Sequence, residues 1–436
     1  MPAAAMTAPM RWLQRLVAIE PAELGALLWS FAYFFLLLCS YYILRPLRDE
    51  MGIAGGVKNL PWVFTGTFVV MLAAVPLFGW CAARFPRRTL LPVVYGFFTA
   101  NLLLFYLLFQ IDGHQALTAR AFFIWTSVFN LFVVSVFWSF MVDLYSNAQA
   151  RRLFGFIAAG GSAGALTGPL VTTLLVGPLG PVNLLPVSAL LLLGAMFCIR
   201  RLVHWARQQD AAPTAAPEQP LGGSVWAGLG LVARTPYLLG IGMFIWLFTT
   251  LSTFLYFEQA HIVAAASPDP AERTRLFALI DFGVNALTIT LQLLLTGRLL
   301  RWLGVPWTLV LVPLLTVVGF IGLGAAPVLP VLVAFQIARR AGDYAVMRPA
   351  RELLFTVVGR ETKYKAKNFI DTVVYRGGDA ISGWIFAGLK ALGLGVTGIA
   401  VVAVPVALAW AGIGYALGRR QEVLRARAAT AAEEGK

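Results

Sequence analysis

The sequence predicts an all-α polytopic membrane protein of twelve transmembrane helices in two six-helix halves. Three observations carry this. Hydrophobic residues make up 59% of the 436 positions and charged residues only 12%, with a mean hydropathy of +0.78. Soluble domains carry about 25% charged residues. Apolar stretches of the roughly 20 residues that a bilayer requires recur along the chain. The basic residues are distributed unevenly between alternate loops.

The apolar stretches are 24–44, 60–83, 89–110, 118–142, 154–177 and 179–199, then 236–262, 274–297, 303–325, 327–347, 367–389 and 395–418. Between the sixth and the seventh lies a linker, 207–223, reading RQQDAAPTAAPEQPLGG. It is rich in Ala and Pro and has no hydrophobic period, which marks a connecting segment. It separates an N-terminal half, 1–206, from a C-terminal half, 224–436. The first apolar stretch is long for a signal-peptide core. It leads into Leu44-Arg45-Pro46 instead of a small-residue cleavage site, so it is expected to remain as the first span.

With the N-terminus taken as cytoplasmic, 24 of the 34 Lys and Arg residues fall in inward loops and tails and 7 in outward ones. Arg339, Arg340 and Arg376 lie inside spans. This is the positive-inside bias. It places both termini in the cytoplasm and suits a bacterial inner (plasma) membrane. The net charge of +14 is therefore a topology signal and calls for no nucleic-acid partner. The expected partners are the lipid bilayer and a small-molecule anion, and a monomer is expected. Cys39, Cys81 and Cys198 all lie within spans and read as small core residues. No metal-ligand spacing is present, and no cofactor is expected. His114, His204 and His261 are isolated from one another in sequence, which leaves an enzyme without its machinery.

The six-plus-six layout is that of the major facilitator superfamily. A loop pattern supports it. Gly79-Trp-Cys-Ala-Ala-Arg84-Phe-Pro-Arg87-Arg88 is similar to the superfamily's loop signature Gly-x-x-x-Asp-Arg-x-Gly-Arg-Arg, with Ala83 and Pro86 at two of its positions. Gly297-Arg298-Leu-Leu-Arg301-Trp-Leu-Gly304 echoes it in the second half. In span five, Gly160, Gly164 and Gly168 recur every four residues and so line one helix face, as close helix packing requires. A phosphate loop there would need a following Lys-Ser or Lys-Thr, which is missing.

Charge inside the spans points to function. A cation at mid-span costs about 2.5–3.5 kcal/mol. Arg339, Arg340 and Arg376 should therefore face a watery cavity, a counter-charge or an anionic cargo. Arg339 and Asp343 are four apart and can share a helix face; Arg340 points about 100° away from them, following the 3.6-residue turn. Arg's planar fork grips two phosphate or carboxylate oxygens at once. Arg376 and Asp379 are three apart and can pair, and Asp371 stands two turns from Asp379. Lys363, Lys365 and Lys367 alternate ahead of span eleven, either collecting anions or anchoring the loop. At the end of span one, Arg45, Arg48 and Asp49 form an anion-attracting mouth or an interfacial anchor in which an arginine pairs Asp49. Pro46 is expected to kink or end that helix. Asp281 and Asn285, four apart in span eight, share a side with a coupling or gating role or a plain helix contact. Glu258 and His261 end span seven.

These residues carry a family resemblance. RPARELLFTVVGRETKYKAKNFIDTVVYRGGD closely resembles the C-terminal signature of the ATP/ADP translocases of plastids and intracellular bacteria, P-x-x-E-x-L-Y … K-Y-K-x-K-x-x-I-D-x-x-x-x-R-x-G. Pro349, Glu352, Phe355, Lys363, Tyr364, Lys365, Lys367, Ile370, Asp371, Arg376 and Gly378 hold its places. YYILRPLRDEMG is similar to the same family's I-L-R-x-x-K-D, and FWSFMVDLYSNAQARRLFGFIAAGGSAGALTGP to its F-W-x-F-A-N … A-x-R-F segment. The resemblance implies twelve helices and exchange of ATP for ADP or related nucleotides. It places the family's first-span lysine on Arg48 and its span-eleven loop lysine on Lys367 or Lys365. Met141-Val142 stand where the family has Ala-Asn. No acid occurs between Asp112 and Asp143, where the family has a glutamate near the position of Trp125.

The expected function is a secondary transporter of anionic phosphorylated solutes, of the nucleotide-exchange type, working by alternating access. Arg45, Arg48, Arg339, Arg340, Lys367 and Arg376 would hold the substrate. Asp49, Asp281, Asn285, Asp343, Asp371 and Asp379 would couple or gate it. The alternative is a proton-coupled major-facilitator carrier for another organic anion or drug.

Overall fold

A computed structural model describes residues 19–20, 23–85, 87–208 and 227–434. Most of the predicted linker lies outside the described residues. The described chain is helical, with no strand. Its helices are α1 (Leu24–Ala54), α2 (Leu60–Arg84), α3 (Arg87–Leu108), α4 (Gln115–Leu144), α5 (Asn147–Leu179) and α6 (Leu184–Gln208). After the linker come a short α7 (Ala227–Arg234), α8 (Pro236–Ala266), α9 (Pro270–Leu294) and α10 (Thr296–Ala325). The rest are α11 (Leu329–Gly342), α12 (Arg348–Leu354), α13 (Arg360–Phe369), α14 (Tyr375–Ala391) and α15 (Val396–Glu434).

Among the described residues, ten helices are long and apolar enough to cross a membrane. They correspond to the predicted spans except 327–347 and 367–389. Those two are helical as well, but each is interrupted by a π turn and carries several charges. Two boundaries differ from expectation. Pro46 does not end the first helix, which continues to Ala54. A proline removes one backbone hydrogen bond; Ile43, Leu44, Leu47 and Met51 stay buried on either side of it, so packing carries the helix through. Within α10, Gly304 leaves helical geometry at φ 67° and ψ 179°. Only glycine takes such a φ without strain. This break separates the basic 297–304 segment from the apolar helix that follows.

The helix starts are chemically marked. Ser146 and Gln149 form a reciprocal capping box at α5, each side chain meeting the other's backbone N–H. The Asp269 side chain accepts from the Ala271 N–H, with Pro270 in the first helical position of α9.

The chain divides into two compact units. One comprises Met1–Arg48, Ala73–Glu218 and Thr274–Phe282, the other Asp49–Leu72, Gln219–Arg273 and Gly283–Lys436. In the first unit, the glycine face of α5 lies directly on the backbone of α1. A Cβ at Gly160 would sit 2.6 Å from the Phe31 carbonyl oxygen, and one at Gly168 2.7 Å from that of Cys39. Any larger residue would force the helices apart, so the four-residue glycine spacing has its expected packing role. At the start of α1, Glu23 accepts from Gln149 Nε2 at 2.8 Å and from Arg152 at 3.0 and 3.3 Å. Burial pushes the Glu23 carboxyl up; the Glu20 N–H, Gln149 and Arg152 outweigh it and hold the group below the usual carboxylate range.

Candidate functional site

The second unit contains a dense charge cluster, and two π turns build it. The first, Asp343–Met347, joins α11 to α12, and the second, Ile370–Val374, joins α13 to α14. A π turn closes its hydrogen bonds five residues back, so residues i and i+5 come together, and backbone carbonyls near it are left to other donors. Thr296 Oγ1 donates to the Ala345 carbonyl at 2.7 Å, and Gln292 Nε2 to that of Tyr344 at 3.5 Å.

The altered register changes the pairing expected from sequence. Asp343 does not pair with Arg339 four residues back. Its Oδ2 takes Arg348 Nε at 3.1 Å, five residues on. Arg339 instead donates to Ser252 Oγ on α8 at 2.7 Å, and its guanidinium lies 6.0 Å from the Phe248 ring centre. Arg339 is 6% exposed, and its Nε has no hydrogen-bond partner among the described residues. Arg340, on the neighbouring face, is half-buried.

Arg376 and Asp379 pair at 3.7 Å, as their three-residue spacing suggests. Asp379 also accepts from Thr253 Oγ1 at 3.4 Å. Tyr375 sits among these charges: the Arg376 guanidinium lies 5.6 Å from its ring, and Arg339, Arg348, Asp343 and Asp379 are all within electrostatic range of it. Three guanidiniums thus face two carboxylates around one phenol, with Phe248 packed 5.9 Å from Tyr375.

Within the second π turn Asp371 pairs with Arg351 at 3.8 Å, and ahead of it Lys367 pairs with Glu352. Lys367 also lies 6.0 Å from the Phe355 ring. Asp371 and Asp379 therefore serve different cations.

In the first unit, Arg45 Nε is 3.6 Å from Asp281 Oδ2, a carboxylate only 1% exposed. Arg48 covers the Phe123 ring at 4.1 Å. In the second unit, Asp49 accepts from the Tyr256 hydroxyl at 2.9 Å. Asn285 is buried like Asp281. Glu258, 1% exposed, pairs with Lys390 at 2.8 Å, while His261 Nδ1 contacts the Phe257 carbonyl.

Sequence reasoning missed Ser252, Thr253, Tyr256, Arg348 and Arg351 as members of these networks. Arg348 and Arg351 fall just past the end of the predicted span 327–347. Only a π turn reaching into α12 brings Arg348 back onto Asp343.

No protein-family model matches the sequence, and no curated protein matches it either. Solved structures do. The nucleoside transporter NupG aligns with a TM-score of 0.65 at 13% identity, covering 92% of this chain and 99% of its own. A peptide transporter of the POT family, solved with alafosfalin, aligns at 0.62 and 13%, covering 89% and 95%. A bacterial homolog of the human lysosomal transporter Spinster, in an inward-facing conformation, aligns at 0.59 and 11%, covering 93% and 99%. Coverage of nearly the whole of each chain gives this protein the all-helical, polytopic fold of these solved structures.

Proposed function

We propose that the protein is a secondary carrier that moves anionic phosphorylated solutes by alternating access, with nucleotide exchange of the ATP-for-ADP kind as its chemistry. The observation that carries this is Arg339: a cation 6% exposed within an apolar helix, hydrogen-bonded to a neutral serine and within electrostatic range of Tyr375 and of Arg340. At about 2.5–3.5 kcal/mol for each mid-span cation, such a group marks a functional site that handles negative charge. The three motifs similar to ATP/ADP translocases and the fold of solved solute transporters support the same reading. In it, Arg376 contacts the cargo from the second half and Lys367 draws it in, with Arg45, Arg48 and Arg340 as further contacts. In this reading the chain comprises two halves, 1–206 and 224–436, with both termini in the cytoplasm of a bacterial cell.

The test is uptake of labelled ATP, ADP, inorganic phosphate and dicarboxylates into liposomes preloaded with each. ATP uptake should need internal nucleotide and be lost in Arg376→Ala. Uptake of none of the phosphorylated solutes would end the reading. The second reading, a proton-coupled carrier of another organic anion, draws on the buried Asp281 paired with the half-buried Arg45. It requires uptake driven by a pH gradient into vesicles lacking internal anion.

A further inference from the structure

We propose that Asp343 is an internal stand-in for the cargo anion: it occupies Arg348 while the carrier is empty and passes to Arg339 when a cargo oxygen takes its place. This deepens the anion-carrier reading and rests on it.

The geometry is asymmetric about one carboxylate. Asp343 is 3% exposed, and its two oxygens differ. Oδ2 holds Arg348 Nε at 3.1 Å, whereas Oδ1 is buried with no hydrogen-bond partner among the described residues. The Arg348 side chain is 46% accessible, and it meets Asp343 through Nε, which leaves the outer fork of Nη1 and Nη2 for another acceptor. It is held from behind by the Tyr344 ring at 4.4 Å. An arriving anion therefore meets Arg348, not Arg339. On the other side lies Arg339, one helical turn back from Asp343 and within its electrostatic range, with its Nε buried and unpartnered among the described residues. An unpaired acceptor and an unpaired donor thus sit on one helix face, four residues apart, with the carboxylate between two arginines.

A carboxylate released from its ion pair inside a span is strongly disfavoured unless another cation receives it. Here the receiver is in place. When two oxygens of a phosphoryl or carboxylate group engage the accessible fork of Arg348, Asp343 rotates onto Arg339. Asp343 is paired before and after, and Arg339, which starts with only Ser252 as its hydrogen-bond partner among the described residues, gains a carboxylate. Arg348 is then the cargo contact, and Arg339 is a positioning residue that acts through Asp343.

The test uses the full chain, purified, with inorganic pyrophosphate as probe in a thermal-shift titration and labelled ATP exchange in liposomes as the second readout. Removing the competing carboxylate in Asp343→Asn should tighten pyrophosphate binding about tenfold and lower KM for exchange, while kcat falls because the arginine pair can no longer be reset. Asp343→Glu, which restores the charge, should bring the affinity back toward the wild-type value. Arg348→Gln should lose pyrophosphate binding; Arg339→Gln should keep it but slow exchange. Pyrophosphate binding in Asp343→Asn that is no tighter than wild type overturns the hand-over. Should that variant not fold, equal loss of binding in Arg339→Gln and Arg348→Gln overturns it. Normal wild-type ATP exchange with either of these results leaves the carrier reading standing. A wild type that neither binds pyrophosphate nor exchanges ATP removes both.

Discussion

Glu50 and Arg273 lie 223 residues apart and form a two-pronged ion pair, with Arg273 Nε and Nη2 at 2.7 and 2.6 Å from the two carboxylate oxygens. Glu50 is fully buried, and Arg273 Nη1 also caps the carbonyls of Ser267 and Pro268 at 3.1 Å each. The pair ties the end of α1 to the start of α9 within the second unit. Breaking a buried pair from one side leaves an uncompensated charge and costs about 3–5 kcal/mol. Glu50→Ala and Arg273→Ala should each lower stability by that amount in a denaturant titration of the reconstituted protein. The double change Glu50→Leu with Arg273→Met should cost clearly less than the sum of the singles. Additive losses would show that the two residues do not act as a pair.

The contact of α5 with α1 sets a second expectation. At Gly160 an added methyl meets the Phe31 backbone oxygen at 2.6 Å, and backbone cannot step aside as a side chain can. Gly160→Ala should therefore destabilise by about 1–3 kcal/mol, the usual cost of overpacking. Gly177 lies on the same helix, and a methyl added there would meet nothing within 4 Å. Gly177→Ala should be neutral or gain about 0.5–1 kcal/mol from helix propensity. Thermal melts of the two variants in the same detergent decide it; similar melting temperatures would mean that the helices separate freely.

The spans, the glycine face and the Arg376–Asp379 pair were legible in sequence because each depends on local spacing. Hydropathy reports span length, and three- or four-residue intervals report helix faces. The partners of Arg45, Asp49 and Arg339 were not legible. Asp281, Tyr256 and Ser252 are far away in sequence, and no local rule selects them over nearer charged residues. The π turns were hidden for another reason. Tyr344, Ala345, Val346 and Met347 are ordinary helix residues, and the donor to the Ala345 carbonyl, Thr296, comes from another helix. An Asp343–Arg339 pair follows from a regular α-helix; one inserted residue of register replaces it with Asp343–Arg348.

Glu23 gives a pH dependence of definite sign. Its carboxyl is held below the usual range in the folded chain, with burial opposing and the Glu20 amide, Gln149 and Arg152 prevailing. The stabilisation is thus fully present above the unfolded value of about 4.3 and is lost as pH falls below it toward the lower folded value. Stability measured downward from neutral pH should decline in that acid window. Glu23→Gln should start lower at neutral pH and show a shallower decline. An unchanged acid slope in the variant would assign the loss to other carboxylates.

Lys367 separates function from stability. Its pair with Glu352 is part-exposed on both sides, the side chains being 32% and 45% accessible. Such pairs contribute about 0–1 kcal/mol. Lys367→Gln should therefore leave the melting temperature nearly unchanged. If this lysine draws anionic cargo toward the helices, the same variant should raise KM for the transported anion with little change in kcat. That electrostatic share is screened as the Debye length shortens from about 30 Å at 0.01 M salt to about 8 Å at 0.15 M. The KM gap between wild type and variant should narrow across that range in liposome exchange assays. A gap that persists unchanged at the higher salt would place Lys367 in direct contact with the cargo, and no gap at any salt would reduce it to a partner of Glu352.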